Sequence, residues 1–290
     1  MINSLTHNLV AIVLTLSFAA VTGAQVAPAT GPDVPTPTMQ KTPDGIEYGT
    51  WGEAPADKPA PVLVVLSGNT VDSISKRSFL RAGRYLGLRG YLCISIDIPN
   101  HGPLAEKGKS GLVGWGKRAA EGDDFVAEFN ARMKKVLDHL IEQKKIDPAK
   151  IVVTGTSRGG FLAMQYGAFD PRVKAIVAYA PATNLRKVTE FEVAKDNAAA
   201  EPFLNVEPHI DQLVGRPLLV MIGDRDERVD TDTVIAFMRK LAAAAVKKNV
   251  PGEAELLVLS EPRGHSLPPT VDATAARWIY RVIEGKEMPE

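Results

Sequence analysis

The segment Gly155-Thr156-Ser157-Arg158-Gly159 sets a serine hydroxyl between two glycines, at the junction of two unlike patterns. Before it runs Ile151-Val152-Val153, apolar and β-branched as in a buried strand. After it runs Phe161-Leu162-Ala163-Met164-Gln165-Tyr166-Gly167-Ala168, which reads as a helix. Strand, sharp turn and helix are the context in which Gly-x-Ser-x-Gly presents a nucleophile. The turn admits only small neighbours, and the helix that starts beneath the serine points free N–H groups at a developing negative charge. The same pentapeptide also fits a plain turn whose serine caps the helix. The groups that would activate the serine decide between the two.

Activation needs a base and a carboxylate to orient it. The chain has five histidines, His7, His101, His139, His209 and His265. His7 lies in an apolar N-terminal segment, and His139 in a Lys- and Glu-rich helical stretch. His265 lies in Glu261-Pro262-Arg263-Gly264-His265-Ser266-Leu267-Pro268, a turn-forming loop just beyond the apolar run Ala254–Leu259. A loop past the carboxyl end of a strand suits a catalytic histidine. A second such loop, Gly223-Asp224-Arg225-Asp226-Glu227-Arg228-Val229-Asp230, follows the apolar run Pro217–Ile222 and offers the carboxylates.

Gly-Asp-x-Asp-x-x-Val after a strand resembles the acid loop of α/β-hydrolases of the dienelactone-hydrolase and prolyl-oligopeptidase type. The resemblance implies that Asp226 is the triad acid, with Asp224 bracing the turn and Asp230 capping the next helix; Asp224 stays open as the alternative acid. The fold's order of Ser, acid, His implies His265 rather than His209, and makes His101 a hydrogen-bonded loop residue. The resemblance also implies an oxyanion hole of two backbone donors, one of them the N–H of Arg158. The other is expected after the apolar run Pro61–Leu66, in Ser67-Gly68-Asn69-Thr70, with Asn69 as the donor through its N–H or its amide. Relatives carry His-Gly-x there, and this chain departs from them with Ser67.

Apolar runs at 61–66, 91–97, 151–155, 173–179, 217–222 and 254–259 alternate with helical patterns at 74–88, 122–145, 158–169, 230–248 and 268–284. The runs are continuous, as in strands covered on both faces. The expected fold is therefore α/β: a doubly wound, mostly parallel sheet, with the α/β-hydrolase resemblance covering about residues 60–285. Ile46, Tyr48 and Thr50 suggest a short leading strand. Residues 98–117 read as a Gly-rich loop. Within it Gly111 to Lys117 mimics a phosphate loop, but Arg118 stands where Ser or Thr must hold magnesium. Residues 181–216 read as a small cap insertion, whose Phe191 and Phe203 either shape an acyl pocket or pack the cap down.

No Lys, Arg, Asp or Glu precedes Asp33, and Leu9–Val21 is almost wholly apolar. About 13 apolar residues suit a signal peptide better than a membrane span. The domain reading is thus 1–24 signal peptide with cleavage after Ala24, 25–45 Pro-rich flexible leader and 46–290 hydrolase domain. A retained anchor is the alternative; with cleavage no stable membrane insertion is expected, and the protein is periplasmic or secreted. The single cysteine, Cys93, cannot close an intramolecular disulfide and reads as core.

Lys plus Arg balances Asp plus Glu at 34 each, so no basic excess invites nucleic acid. No cofactor is expected, and no metal-ligand spacing is present. An oligomeric state is not fixed by composition. The expected activity is hydrolysis of a small carboxylic ester by Ser157, His265 and Asp226. A prolyl-oligopeptidase-like peptidase acting on short peptides is the rival, disfavoured because Gln25–Ala60 is too short for a propeller domain. A non-catalytic binding member of the fold is the third reading.

Overall fold

The computed structural model describes residues 36–289. The segment read as a signal peptide, and most of the one read as a leader, lie outside the described residues. The strands are β1 (Thr38–Lys41), β2 (Glu47–Trp51), β3 (Ala60–Leu66), β4 (Leu92–Ser95), β5 (Ile146–Thr156), β6 (Val173–Tyr179), β7 (Leu218–Gly223) and β8 (Ala254–Leu259). They form one eight-stranded sheet in the order β1-β2-β4-β3-β5-β6-β7-β8. β1 and β2 pair antiparallel with their neighbours, and every pairing from β4 to β8 is parallel. The doubly wound, mostly parallel sheet is present.

The continuous apolar runs have a direct physical reading. Along β3, Val62, Val64 and Leu66 enter one buried cluster while Leu63 and Val65 enter another. The same alternation holds in β7, with Leu218, Val220 and Ile222 on one face and Leu219 and Met221 on the other. Side chains alternate across a strand, so an unbroken apolar run means that helices cover both faces. Cys93 of β4 is fully buried.

The long helices are α5 (Phe125–Glu142), α6 (Arg158–Phe169), α9 (Thr231–Lys248) and α10 (Thr270–Glu284). α5, α6 and α9 supply one face, and α10 the other together with α3 (Gly83–Leu86). Asp124 starts α5 by accepting the N–H groups of Val126 and Ala127.

Four readings need correction. The leader does not reach residue 45, because Thr38–Lys41 is already β1. An edge strand with exposed side chains carries no apolar run to announce it. The helix expected at 74–88 is broken into α1 (Thr70–Ser75), α2 (Arg77–Leu80) and α3. Arg81 takes φ 41° between the last two, held by Thr156 and Asp272. The helix expected at 122–145 is shorter at both ends, as α5.

The fourth correction is the Gly-rich loop. Gly111–Ala120 is a helix, α4. Its glycines serve close packing: a Cβ on Gly116 would fall 2.1 Å from the carbonyl oxygen of Glu190. Glu190 belongs to the cap, residues 181–216, a series of short turns with α7 (Glu201–Leu204) and α8 (Ile210–Leu213). Phe191, Phe203, Leu204 and Val206 of the cap are buried in the larger core cluster. Phe203 meets Phe125 edge to face, and Phe125 stacks on Trp115 at 4.7 Å. The cap aromatics therefore pack the insertion onto the domain.

α6 carries the nucleophile turn at its start, and its other end is tied down by charge. The Asp170 carboxylate accepts from the Tyr166 hydroxyl at 2.7 Å and from Arg172 Nη2 at 2.6 Å. Arg172 Nη1 donates onward to Asp138 of α5 at 2.6 Å. Burial alone would raise the Asp170 pKa, but the Arg172 and Tyr166 hydrogen bonds outweigh it and hold the group below its ordinary value. Arg172→Met is expected to cost about 2–3 kcal/mol in urea unfolding near neutral pH, since it strands a buried carboxylate. A depressed carboxylate stabilises the fold above its ordinary pKa. The difference from the parent should therefore hold above about pH 4 and shrink as pH falls through the lower value in the folded state. A difference that does not change with acid would show that Asp170 is not the group involved.

Candidate active site

Ser157 follows β5 directly and caps α6 with φ 57° and ψ −116°. This is sparsely populated backbone for a residue with a Cβ, and two contacts enforce it. The Ser157 N–H donates to the Tyr179 carbonyl at 2.8 Å, tying the turn to the end of β6. The helix also approaches the sheet too closely for side chains. A Cβ on Gly155 would fall 2.0 Å from the Gly159 carbonyl, and one on Gly159 1.9 Å from that of Leu66. Arg81 and Ala180, which border the same cleft, also take positive φ, so the strain gathers here.

The loop after β7 carries Asp226, which is 2% exposed. Its Oδ1 accepts the N–H groups of Arg228 and Val229 at 3.1 and 3.2 Å, which fixes the plane of the carboxylate. Its Oδ2 lies 2.8 Å from His265 Nδ1. His265 Nε2 lies 2.9 Å from Ser157 Oγ. A carboxylate can only accept, so Nδ1 carries the proton and Nε2 presents its lone pair to the serine. The imidazole is 30% exposed at its side chain, which leaves a path for water.

Asp224 is placed elsewhere. Its Oδ1 accepts the Glu261 N–H at 2.9 Å, and its own N–H reaches the Leu259 carbonyl at 2.8 Å. It stitches the acid loop to the histidine loop. Asp230 stands at the N-cap position of α9, but its side chain takes the Thr233 hydroxyl rather than a helix N–H. Within the histidine loop Glu261 is clamped by Arg263, whose hydrogen bonds lower its pKa to about 2.

On the oxyanion side, the Arg158 N–H is the first of α6 and so belongs to the helix donors that have no intrahelical acceptor. The Asn69 Oδ1 accepts the Asp72 N–H at 2.8 Å as the cap of α1. That orients the side chain and leaves its Nδ2 and the main-chain N–H as donors. Ser67, in the place where relatives carry His, borders the cleft. The neighbouring Thr70 is held by Asp97 through its N–H and hydroxyl at 2.7 and 2.8 Å.

The other histidines among the described residues are accounted for, His7 lying outside them. His101 Nδ1 donates to the Pro99 carbonyl at 2.8 Å, and the ring meets Trp115 edge to face. Burial lowers its pKa to about 4, so it is neutral at ordinary pH. His209 bonds the Pro202 carbonyl and His139 lies beside Gln143. Among the described residues no cluster of three or more His, Cys, Asp or Glu could hold a metal ion.

A cleft of about 330 Å³ opens over Ser157, bordered by Arg81, Arg158, His265 and Leu267. Larger hollows of about 460 and 530 Å³ touch neither Ser157, Asp226 nor His265. The small cleft is the one with chemistry. Arg81 and Arg158 escaped the sequence reading as cleft residues. Arg158 was noted only for its backbone, and Arg81 fell inside an expected helix.

The model of the prolyl oligopeptidase family matches residues 122–277, a span that holds Ser157, Asp226 and His265. The acylamino-acid-releasing enzyme of Arabidopsis thaliana is 27% identical over 215 residues, 66% of this chain but only 26% of that protein. The chain thus spans about a quarter of that relative. TT1662 from Thermus thermophilus superposes with a TM-score of 0.62 at 20% identity, covering 86% of this chain and 99% of that one. A dipeptidyl aminopeptidase IV homologue from Bacteroides ovatus gives 0.62 at 18%, over 85% of this chain and 36% of that one. An acetyl xylan esterase from Paenibacillus sp. R4 gives 0.57 at 16%, over 84% and 82%. At these identities the superpositions establish the fold.

The elbow's tolerance can be tested directly. Gly159→Ala must push backbone against backbone at Leu66, so it is expected to lower stability by more than about 3 kcal/mol or prevent folding. Ala163→Gly, one turn further along α6, should cost only about 1 kcal/mol plus a small buried-methyl loss. Thermal melting of the two variants side by side checks the contrast.

Proposed function

The chain belongs to the prolyl oligopeptidase family of serine hydrolases, and from that premise we propose that it cleaves carboxylic esters through an acyl-enzyme on Ser157. The observation that carries this reading is the continuous hydrogen-bond chain from Ser157 Oγ through His265 to Asp226, at 2.9 and 2.8 Å, on a strained turn at the carboxyl edge of the sheet. His265 Nε2 takes the hydroxyl proton as Oγ attacks the acyl carbonyl. Asp226 holds the required tautomer and stabilises the imidazolium that forms. The N–H groups of Arg158 and Asn69 receive the oxyanion. Collapse expels the alcohol, which takes its proton from His265. Water, deprotonated by the same nitrogen, then attacks the acyl-enzyme and releases the acid and the free serine.

A small cleft of about 330 Å³ supports a small acyl group. The acetyl xylan esterase among the structural relatives supports ester chemistry on this architecture. A peptidase is the second reading, favoured by the names of the acylamino-acid-releasing enzyme and the dipeptidyl aminopeptidase IV homologue. An amide leaves as a poorer group, so it demands more of the proton transfer from His265. Among the described residues no helix is long and apolar enough to cross a membrane. Export to the periplasm or beyond is proposed on Leu9–Val21 alone.

The test is hydrolysis of short and medium p-nitrophenyl esters alongside dipeptide anilides. Ester turnover should exceed anilide turnover and should fall by about six orders of magnitude in Ser157→Ala. Anilide turnover above ester turnover would move the assignment to peptidase. Absence of Ser157-dependent turnover on both would overturn the hydrolase reading. Asp226→Asn should lower kcat about 10⁴-fold by presenting the wrong tautomer, whereas Asp224→Asn should act through loop stability. Equal losses in the two variants would reopen the choice of acid.

A further inference from the structure

Arg158 carries a positive charge that no ion pair among the described residues neutralises, although the Glu190 carboxylate attracts it. Its side chain borders the cleft over Ser157. Its Nε is buried without a hydrogen-bond partner, and among the described residues no acceptor or counter-ion is bonded to its guanidinium. An Nε without a hydrogen bond is shared with Arg84 and Arg186, but those two have carboxylate partners in Asp272 and Glu201. Arg118 and Arg172 grip carboxylates, and Arg132 and Arg216 donate to main-chain carbonyls. A buried N–H without a partner is costly, and an acceptor supplied by a ligand in the cleft would complete the Arg158 guanidinium.

The carboxylates around it are engaged with other groups. Glu190 of the cap gives Oε1 to Arg228, while its Oε2 is buried without a hydrogen bond and its charge also acts on Arg158. Asp272 is shared by Arg81 and Arg84 on the opposite wall. Asp226 belongs to His265. His101 beside it is neutral. Positive charge therefore exceeds negative around Arg158, where burial and the Arg228 charge disfavour the guanidinium and the Glu190 charge offsets part of their effect. Its position is also defined. A Cβ on Gly68 would stand 3.5 Å from both Arg158 Nη2 and His101 Cδ2, so the guanidinium rests against the loop after β3. It is one residue from the nucleophile.

Resting on the serine-hydrolase reading of this cleft, we propose that Arg158 is a specificity-determining residue that receives a carboxylate of the substrate. The preferred substrates are then small monoanionic esters whose free carboxylate lies a short chain away from the scissile carbonyl. The planar fork of a guanidinium matches a carboxylate with two parallel hydrogen bonds, and a volume of about 330 Å³ suits a ligand of this size. The carboxylate can come from the acyl side, as in a half-ester of a short dicarboxylic acid, or from the alcohol side, as in an ester of a hydroxy acid.

The experiment compares matched pairs. The acyl arm is p-nitrophenyl hemiglutarate against p-nitrophenyl valerate. The alcohol arm is 4-acetoxybenzoate against its methyl ester. The parent should favour the carboxylate member of one pair in kcat/KM. In Arg158→Gln that ratio should fall by about 10- to 100-fold, and Arg158→Lys should restore part of it. A parent without preference in either arm, or a ratio unmoved by Arg158→Gln, overturns the proposal. Equal losses on both members of a pair also overturn it, because they would assign the guanidinium to the oxyanion. Should the parent turn over no ester, the ester-hydrolase reading fails separately. Calorimetric binding of glutarate to Ser157→Ala, lost in Ser157→Ala/Arg158→Gln, then decides whether the carboxylate site exists, with melting curves confirming that each variant is folded.

Discussion

Everything at the candidate site depends on one steric fact: α6 touches the sheet backbone to backbone. The Cα of Gly159 faces the Leu66 carbonyl where no Cβ could stand, and Gly155 faces the Gly159 carbonyl in the same way. That contact lets the chain reverse from β5 into α6 within one residue. Ser157 is the residue that absorbs the reversal, at φ 57°. Its hydroxyl consequently projects from the carboxyl edge of the sheet rather than into a strand face. The strain is sustained by the surrounding strands, because β5 is central and paired on both sides by parallel ladders.

Placement of the base and acid follows from the same sheet. β7 and β8 lie side by side with a register from Leu218 opposite Ala254 to Gly223 opposite Leu259. Their outgoing loops therefore leave the edge together. Asp224 fastens one to the other through the Glu261 N–H. Asp226 then needs only its own turn, where two backbone N–H groups hold one oxygen and leave the other for His265. The histidine is oriented by a carboxylate that is itself oriented, so the imidazole beside Ser157 has little freedom left to lose.

Much of this was legible in the sequence, for physical reasons that differ from residue to residue. The parallel strands could be read because strands covered on both faces leave long apolar runs; β6 and β8 fall on the expected residues. β1 could not, since an exposed edge strand has no such run. Ser157, Asp226 and His265 stood out because each sits just past a run, where apolar gives way to glycine and charge. Their mutual distances were not readable, because residues 108 positions apart meet only through the strand order. The Gly111–Lys117 stretch misled as a loop. Glycine reports both turns and close packing, and only the Glu190 carbonyl across from Gly116 decides for packing. Arg81 and Arg158 were invisible as cleft residues because an arginine's direction is set by tertiary neighbours, not by the local pattern.

The cap gives the last step. Its aromatics are buried against Trp115, Phe125 and the core, so they do not roof the cleft. What the cap presents toward Arg158 is a carboxylate, Glu190, and that carboxylate is already held by Arg228 from the acid loop. The insertion is thus anchored by apolar packing and meets the site through charge. An apolar roof would select acyl groups by length and fat content, at about 0.8 kcal/mol per methylene. A charged rim selects by sign, and a mismatched anion or cation in a half-dry cleft is penalised more heavily than a missing methylene. The geometry of Ser157, His265 and Asp226 is compatible with many acyl groups. What is particular to this chain beside them is the charge set by Arg158, Glu190 and Arg228.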